Sequence, residues 1–173
     1  MYKKSYKLEP VYIKFNDDIT GIRKSVECYN NNFNNELAKI KKYYTNIEEN
    51  NLDDYEFEKF KIQDDLHTNL SNTIIHLYRT FEIRLKELFK EYNIQPGGII
   101  YQPYLEFVKT NLNIELPHNF ENDINKLRKI RNKYVHNNTD PEISNEELTQ
   151  FILYMTEKIS TFFNSIMATI YKT

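Results

Sequence analysis

Apolar residues return at every third or fourth position along most of this chain, and little between them would break a helix. Ile19, Ile22, Val26, Tyr29, Phe33, Leu37, Ile40, Tyr44 and Ile47 mark one face of a long amphipathic helix from about Asp17. The Asn-rich stretch Asn30–Asn35 lies within it; asparagine is a poor helix former, but the stripe keeps its phase through it. A second helix is predicted from about Asp53 to Tyr92, with Leu66, Leu70, Ile74, Leu77, Phe81, Leu85 and Leu88 on one side and Tyr78 and Phe89 beside them. Its wide apolar stripe predicts the central position in the fold. Only 3 glycines and 5 prolines occur in 173 residues, too few for a many-turned β fold.

Punctuation separates the remaining elements. Asn93–Gly98 breaks the second helix, and a short helix is expected over about Tyr101–Leu112. Pro117 precedes a helix running to His136 or Asn137, and Asn137–Pro141 is its stop signal. Ser144 with Glu147 three residues on is a capping box, opening a last helix that carries Leu148, Phe151, Ile152, Met155, Ile159, Phe162, Phe163, Ile166 and Ile170. Residues 1–16 hold Pro10 and show no clear helical period, so they are expected to form an irregular arm, with residues 17–173 a single helical domain. The predicted fold class is all-α: an up-and-down four-helix bundle with an extra short helix.

Composition narrows the setting. Hydrophobic residues make up 40% and charged residues 28%, the balance of a globular chain. A net charge of −2 supplies no global field for nucleic acid, so any such binding needs a local patch. Cys28 is the single cysteine, which excludes an intramolecular disulfide and fits a reducing compartment. With no signal-type or membrane-spanning apolar run, a cytoplasmic protein without membrane contact is expected.

Chemistry concentrates in the fourth main helix. At about 100° per residue, Phe120, Ile124, Leu127, Ile130, Tyr134 and Val135 share an arc, and Arg131 falls in its middle. A buried, unpaired guanidinium costs several kcal/mol or more, so Arg131 needs a carboxylate such as Glu82, an anionic ligand, or a wet cleft. His136 follows at the helix end, about 140° and 7.5 Å away on an ideal helix, where it is either a cap or a proton carrier. Asn132 lies one turn before it. Lys126, Arg128, Lys129, Arg131 and Lys133 form a basic run opposed nearby only by Asp123; it is either a solvated face or a phosphate-binding strip, with Arg128, Lys129 and Lys133 as candidate nucleic-acid contacts.

Leu127-x-x-Ile130-Arg131-Asn132-x-x-Val135-His136-Asn137 resembles the Arg–polar–x–x–x–His signature of the HEPN superfamily. Ile74-Ile75-His76-Leu77-Tyr78-Arg79-Thr80-Phe81-Glu82-x-x-Leu85 is similar to the apolar helix preceding that motif in many members. The order of helices matches too, over about residues 50–170. The resemblance implies a four-helix bundle, usually a homodimer with the motif near its axis. It also implies a metal-independent endoribonuclease of the toxin or phage-defence kind, held in check by an antitoxin or defence-system partner. Arg131, Asn132 and His136 would then be the catalytic set. Some members have lost activity and only bind nucleotides or partners. A subgroup carries Tyr two residues after the histidine; here that position is Asn138, which puts control through such a residue in doubt.

The residue types fit this chemistry independently. RNA is cut when its own 2′-hydroxyl attacks the adjacent phosphate, a step that needs a proton acceptor, a proton donor and positive charge. Histidine serves either proton role near neutrality, and arginine presents forked donors to phosphate oxygens. Other chemistries lack their residues. His67, His76, His118 and His136 are scattered without metal-ligand spacing, so neither metal nor cofactor is expected. Cys28 has no obvious base, and Gly97-Gly98 is not followed by the Lys-Ser/Thr of a phosphate loop.

Overall fold

The computed structural model describes residues 2–44, 52–92, 94, 95, 97–136 and 143–172, and these are all-helical apart from connecting segments. Five α-helices follow in order: α1 (Tyr2–Tyr44), α2 (Leu52–Leu88), α3 (Gln102–Asn111), α4 (Phe120–Val135) and α5 (Asn145–Lys172), with a 3-10 turn at Lys90–Tyr92 after α2. The polar turn expected at Glu48–Asn51 between the first two helices, the break at Asn93 and Pro96, and the stop signal at 137–141 lie outside the described residues, as does Ile47.

The expected irregular arm at residues 1–16 is corrected: α1 is helical from Tyr2, with Pro10 inside it. Proline removes one backbone donor, but packing outweighs that loss. Phe15 is fully buried and stacks on Phe163 of α5, with ring centroids 4.0 Å apart and planes 12° apart. Tyr12 also reaches α5, its hydroxyl donating to Asn164 Oδ1. Positions 11, 12, 15, 19, 22 and 26 share one face, so the stripe began earlier than Asp17. The Asn-rich stretch does not break α1. Asn30 instead bonds the Val26 carbonyl and reaches Thr149 of α5.

Contacts between side chains fix the directions of the helices. α1 runs antiparallel to α5, as Phe15 meets Phe163 and Arg23 meets Thr156. α1 also runs antiparallel to α2, through Asp18 with Arg84 near one end and Tyr44 with Tyr55 near the other. α4 is antiparallel to α2, with Phe120 against Phe81 and Tyr134 against His67. α4 is likewise antiparallel to α5, with Phe120 on Phe162 and Lys126 over Phe151. α2 touches α1, α4 and α5, the central position its wide stripe predicts. One buried cluster from Phe15 to Met167 joins all five helices.

Helix ends follow local chemistry. Ser144 and Glu147 make the expected reciprocal cap on α5: the Ser144 amide donates to Glu147 Oε2 at 2.9 Å, and the Glu147 amide donates to Ser144 Oγ at 3.2 Å. α4 opens after Asn119, which takes a left-handed backbone (φ 60°) that asparagine tolerates.

Helix lengths are unequal, and this shapes the molecule. α1 has 43 residues and α4 only 16, or about 64 Å against about 24 Å at 1.5 Å per residue. Buried core residues of α1 end at Val26, and those of α2 begin at Leu66. Beyond these points the α1–α2 pair projects past the start of α5, where Asn145 meets Gln63 and His67. No helix among the described residues is long and apolar enough to cross a membrane.

Candidate functional site

Arg131 sits where the periodicity places it, half-buried between α4 and α2. Its guanidinium carbon lies 5.7 Å from the centroid of the Tyr78 ring. Nη1 donates to Asn132 Oδ1 at 2.9 Å, while Nε is buried and makes no hydrogen bond among the described residues. The first of the three alternatives for Arg131, an ion pair with Glu82, is not among the described salt bridges. The partner is instead the face of Tyr78, one turn earlier on α2. Glu82 serves Tyr78: burial, together with the hydrogen-bonding Glu82 carboxylate, holds the phenol well above its ordinary pKa. A guanidinium on an aromatic face keeps its charge and its outward donors.

His136 is the C-cap of α4, and its side chain is exposed. Its backbone N–H donates to the Asn132 carbonyl at 3.1 Å. Capping therefore uses the backbone, which leaves the imidazole to solvent. Asn132 binds the Arg131 guanidinium through its side chain and the His136 amide through its carbonyl, so it links both ends of the motif. Arg131 and His136 themselves still leave α4 in directions about 140° apart.

The basic run does not form one patch. Arg128 donates to Asn125 Oδ1 from Nε at 3.4 Å and from Nη2 at 3.2 Å, and lies beside Tyr101. Burial raises the Tyr101 pKa despite that neighbouring charge. Lys126 leans on Phe151, with Nζ 5.0 Å from the ring. Lys129 is exposed, about 160° round the helix from Arg131, and Lys133 is half-buried. Asp123 does not neutralise this run, because Oδ2 already accepts from Lys158 Nζ at 2.9 Å and from the Tyr154 hydroxyl at 2.8 Å.

A polar cluster that sequence reasoning missed closes the same end of the molecule. His67 on α2 bonds Asn145 on α5 (Nδ1 to Oδ1, 2.9 Å) and approaches the Tyr134 hydroxyl on α4 (Nε2, 3.4 Å). Burial raises the Tyr134 pKa, partly offset by the hydrogen bond with Ser71. His67 lies on the stripe that continues through Ser71 and Tyr78, which was the one signal that it faces inward. Separations of 67 and 78 residues leave no periodic trace. Among the described residues no three of His, Cys, Asp and Glu converge as a metal-ligating group.

Compared with protein families, with characterised proteins and with solved structures, the chain shows no significant match in any of the three.

Proposed function

We propose that this chain is a HEPN-type four-helix bundle and a metal-independent endoribonuclease acting on single-stranded RNA, of the toxin or phage-defence kind. The observation that carries the reading is the state of Arg131: a half-buried guanidinium held by Tyr78 and Asn132, with neither a carboxylate nor a bond to its buried Nε among the described residues. Such a group keeps a full charge for an anion, and a phosphate is the anion its forked donors suit. The alternating directions of α1, α2, α4 and α5 support the bundle.

In the proposed reaction the 2′-oxygen attacks the adjacent phosphorus and gives up its proton to a base. The P–O5′ bond breaks, and an acid protonates the departing 5′-oxygen. The products are a 2′,3′-cyclic phosphate and a 5′-hydroxyl. His136 takes one of the two proton roles, Arg131 stabilises the crowded phosphorane, and Asn132 fixes the geometry between them. The other proton role falls to solvent water, and a second copy of the chain brings its His136 to this Arg131. Lys129 and Lys133 supply phosphate contacts along the strand, and Arg128 extends them towards α3.

One observation favours a second reading, an inert module of the same fold that binds a nucleotide or a protein. A groove of about 580 Å³ opens around Tyr101, Asn125 and Arg128, away from His136. Incubation of the purified protein with RNA in EDTA separates the two. Cutting that persists, and leaves cyclic phosphate ends, supports the nuclease. Activity lost in EDTA and rescued by magnesium overturns the mechanism, and no cutting under any condition leaves the binding module.

A further inference from the structure

The face of α2 that α4 and α5 cover does not end where they end. His67 is covered by Tyr134 and Asn145, and Tyr78 by Arg131. Seven residues before His67, in nearly the same phase, stands Phe60; Phe57 is one turn earlier, within about 60° of Phe60. Both phenylalanines remain 65% exposed. They point away from α1, which α2 meets on the opposite side through Tyr55 and Tyr44. The same face carries Asp53, Glu56 and Asp64, all exposed. Over residues 52–65 six carboxylates stand against two lysines.

Paired large aromatics at this exposure, ringed by carboxylates, mark an interaction surface. Its charge excludes a nucleic-acid strand, whose phosphates the carboxylates repel. What covers this stripe elsewhere in the molecule is α4, an amphipathic helix with five basic residues between Lys126 and Lys133. We propose that Phe57 and Phe60 dock a basic amphipathic helix of a separate partner protein. That helix lies along α2 in line with α4, its apolar face on the two rings and its lysines or arginines against Asp53 and Asp64, since Glu56 already pairs with Lys59 at 3.2 Å. The proposal does not depend on ribonuclease activity.

The test measures fluorescence anisotropy of a labelled lysine–leucine amphipathic peptide, about five helical turns long, titrated with the whole chain. The peptide should bind, and binding should weaken as salt rises. Phe57→Ser with Phe60→Ser should weaken it by about tenfold or more, the usual effect of removing aromatic anchors, with circular dichroism unchanged. A glutamate–leucine peptide of the same pattern should fail to bind. No binding of the basic peptide, equal binding of both peptides, or unchanged binding by the double variant overturns the proposal. Light scattering supplies the remaining outcome. If the wild-type chain is a dimer that the double variant dissolves, a second copy covers these rings and the separate partner is ruled out. If the oligomeric state is the same in both, the partner reading stands.

Discussion

Asn132 holds the Arg131 guanidinium with its side chain and the His136 amide with its carbonyl, so the outer motif residues differ in how they tolerate replacement. His136→Ala keeps the backbone N–H that caps α4 and removes only an exposed imidazole. Helicity should be unchanged while RNA cutting falls by about 10²–10⁴, the usual cost of losing a proton-transfer group. Circular dichroism beside single-turnover cleavage reads both, and a variant that cuts at the wild-type rate reduces His136 to a cap. The sequence showed that Arg131 would lie in the buried arc, because a 3.6-residue period assigns every position on α4 to a side. It did not show which α2 residue would meet it. Glu82 and Tyr78 are four apart on the same face, and helical phase cannot tell one turn from the next. Among the described residues no carboxylate offsets the charge of Arg131, and Tyr78 leaves it whole.

Between elements, α4 and α5 share a charged pair. Asp123 and Lys158 meet at 2.9 Å with side-chain exposures of 12% and 17%, and Tyr154 donates to the same carboxylate oxygen. Asp123→Ala should cost about 1.5–3 kcal/mol, as for other hydrogen bonds to charged groups, measured by urea unfolding. Burial alone would lower the Lys158 pKa, but its bonds with Tyr154 and Asp123 outweigh burial and raise it. Because the folded-state value lies above the unfolded one, this stabilisation is complete below the ordinary lysine pKa and fades as pH rises through the folded value. The deficit of the variant should therefore shrink on the alkaline side; a deficit unchanged there removes the charge from the account. Gly21 allows an opposite change. It lies within α1, and a Cβ placed on it meets nothing within 4 Å, so Gly21→Ala should stabilise by about 0.5–1 kcal/mol. A lower midpoint in the same unfolding experiment would show that this turn of α1 is constrained by something besides propensity. Helices were legible because stripe and capping box act locally: α2 through α5 stand close to their expected bounds, and Ser144 with Glu147 caps as the spacing required. The start of α1 was missed because Pro10 and the lack of a clear helical period around it masked the stripe at residues 11, 12 and 15. What decided it was the stacking of Phe15 on Phe163, a contact across the whole chain that no window of sequence contains.

At the scale of the whole molecule, α4 sends Arg131 into the seam with α2 and His136 out to solvent, so one chain separates the two residues to which the proposed reaction gives the phosphate and the proton. A second chain removes the difficulty if each site takes Arg131 from one copy and His136 from the other. Arg131→Ala and His136→Ala should each abolish cutting alone. The two inactive proteins are then mixed, partly unfolded and refolded to exchange subunits. In a mixed dimer one composite site has lost both residues and the other has lost neither. Up to about half of the activity of a wild-type dimer should therefore return in the mixed dimers, a recovery possible only because the two substitutions fall on separate halves of the same site. If both residues of a site came from one chain, every site in the mixture would be damaged and nothing would return. No recovery despite proven exchange thus rules out the cross-chain pairing. A monomer by light scattering at micromolar concentration that still cuts RNA rules out the requirement for a dimer itself.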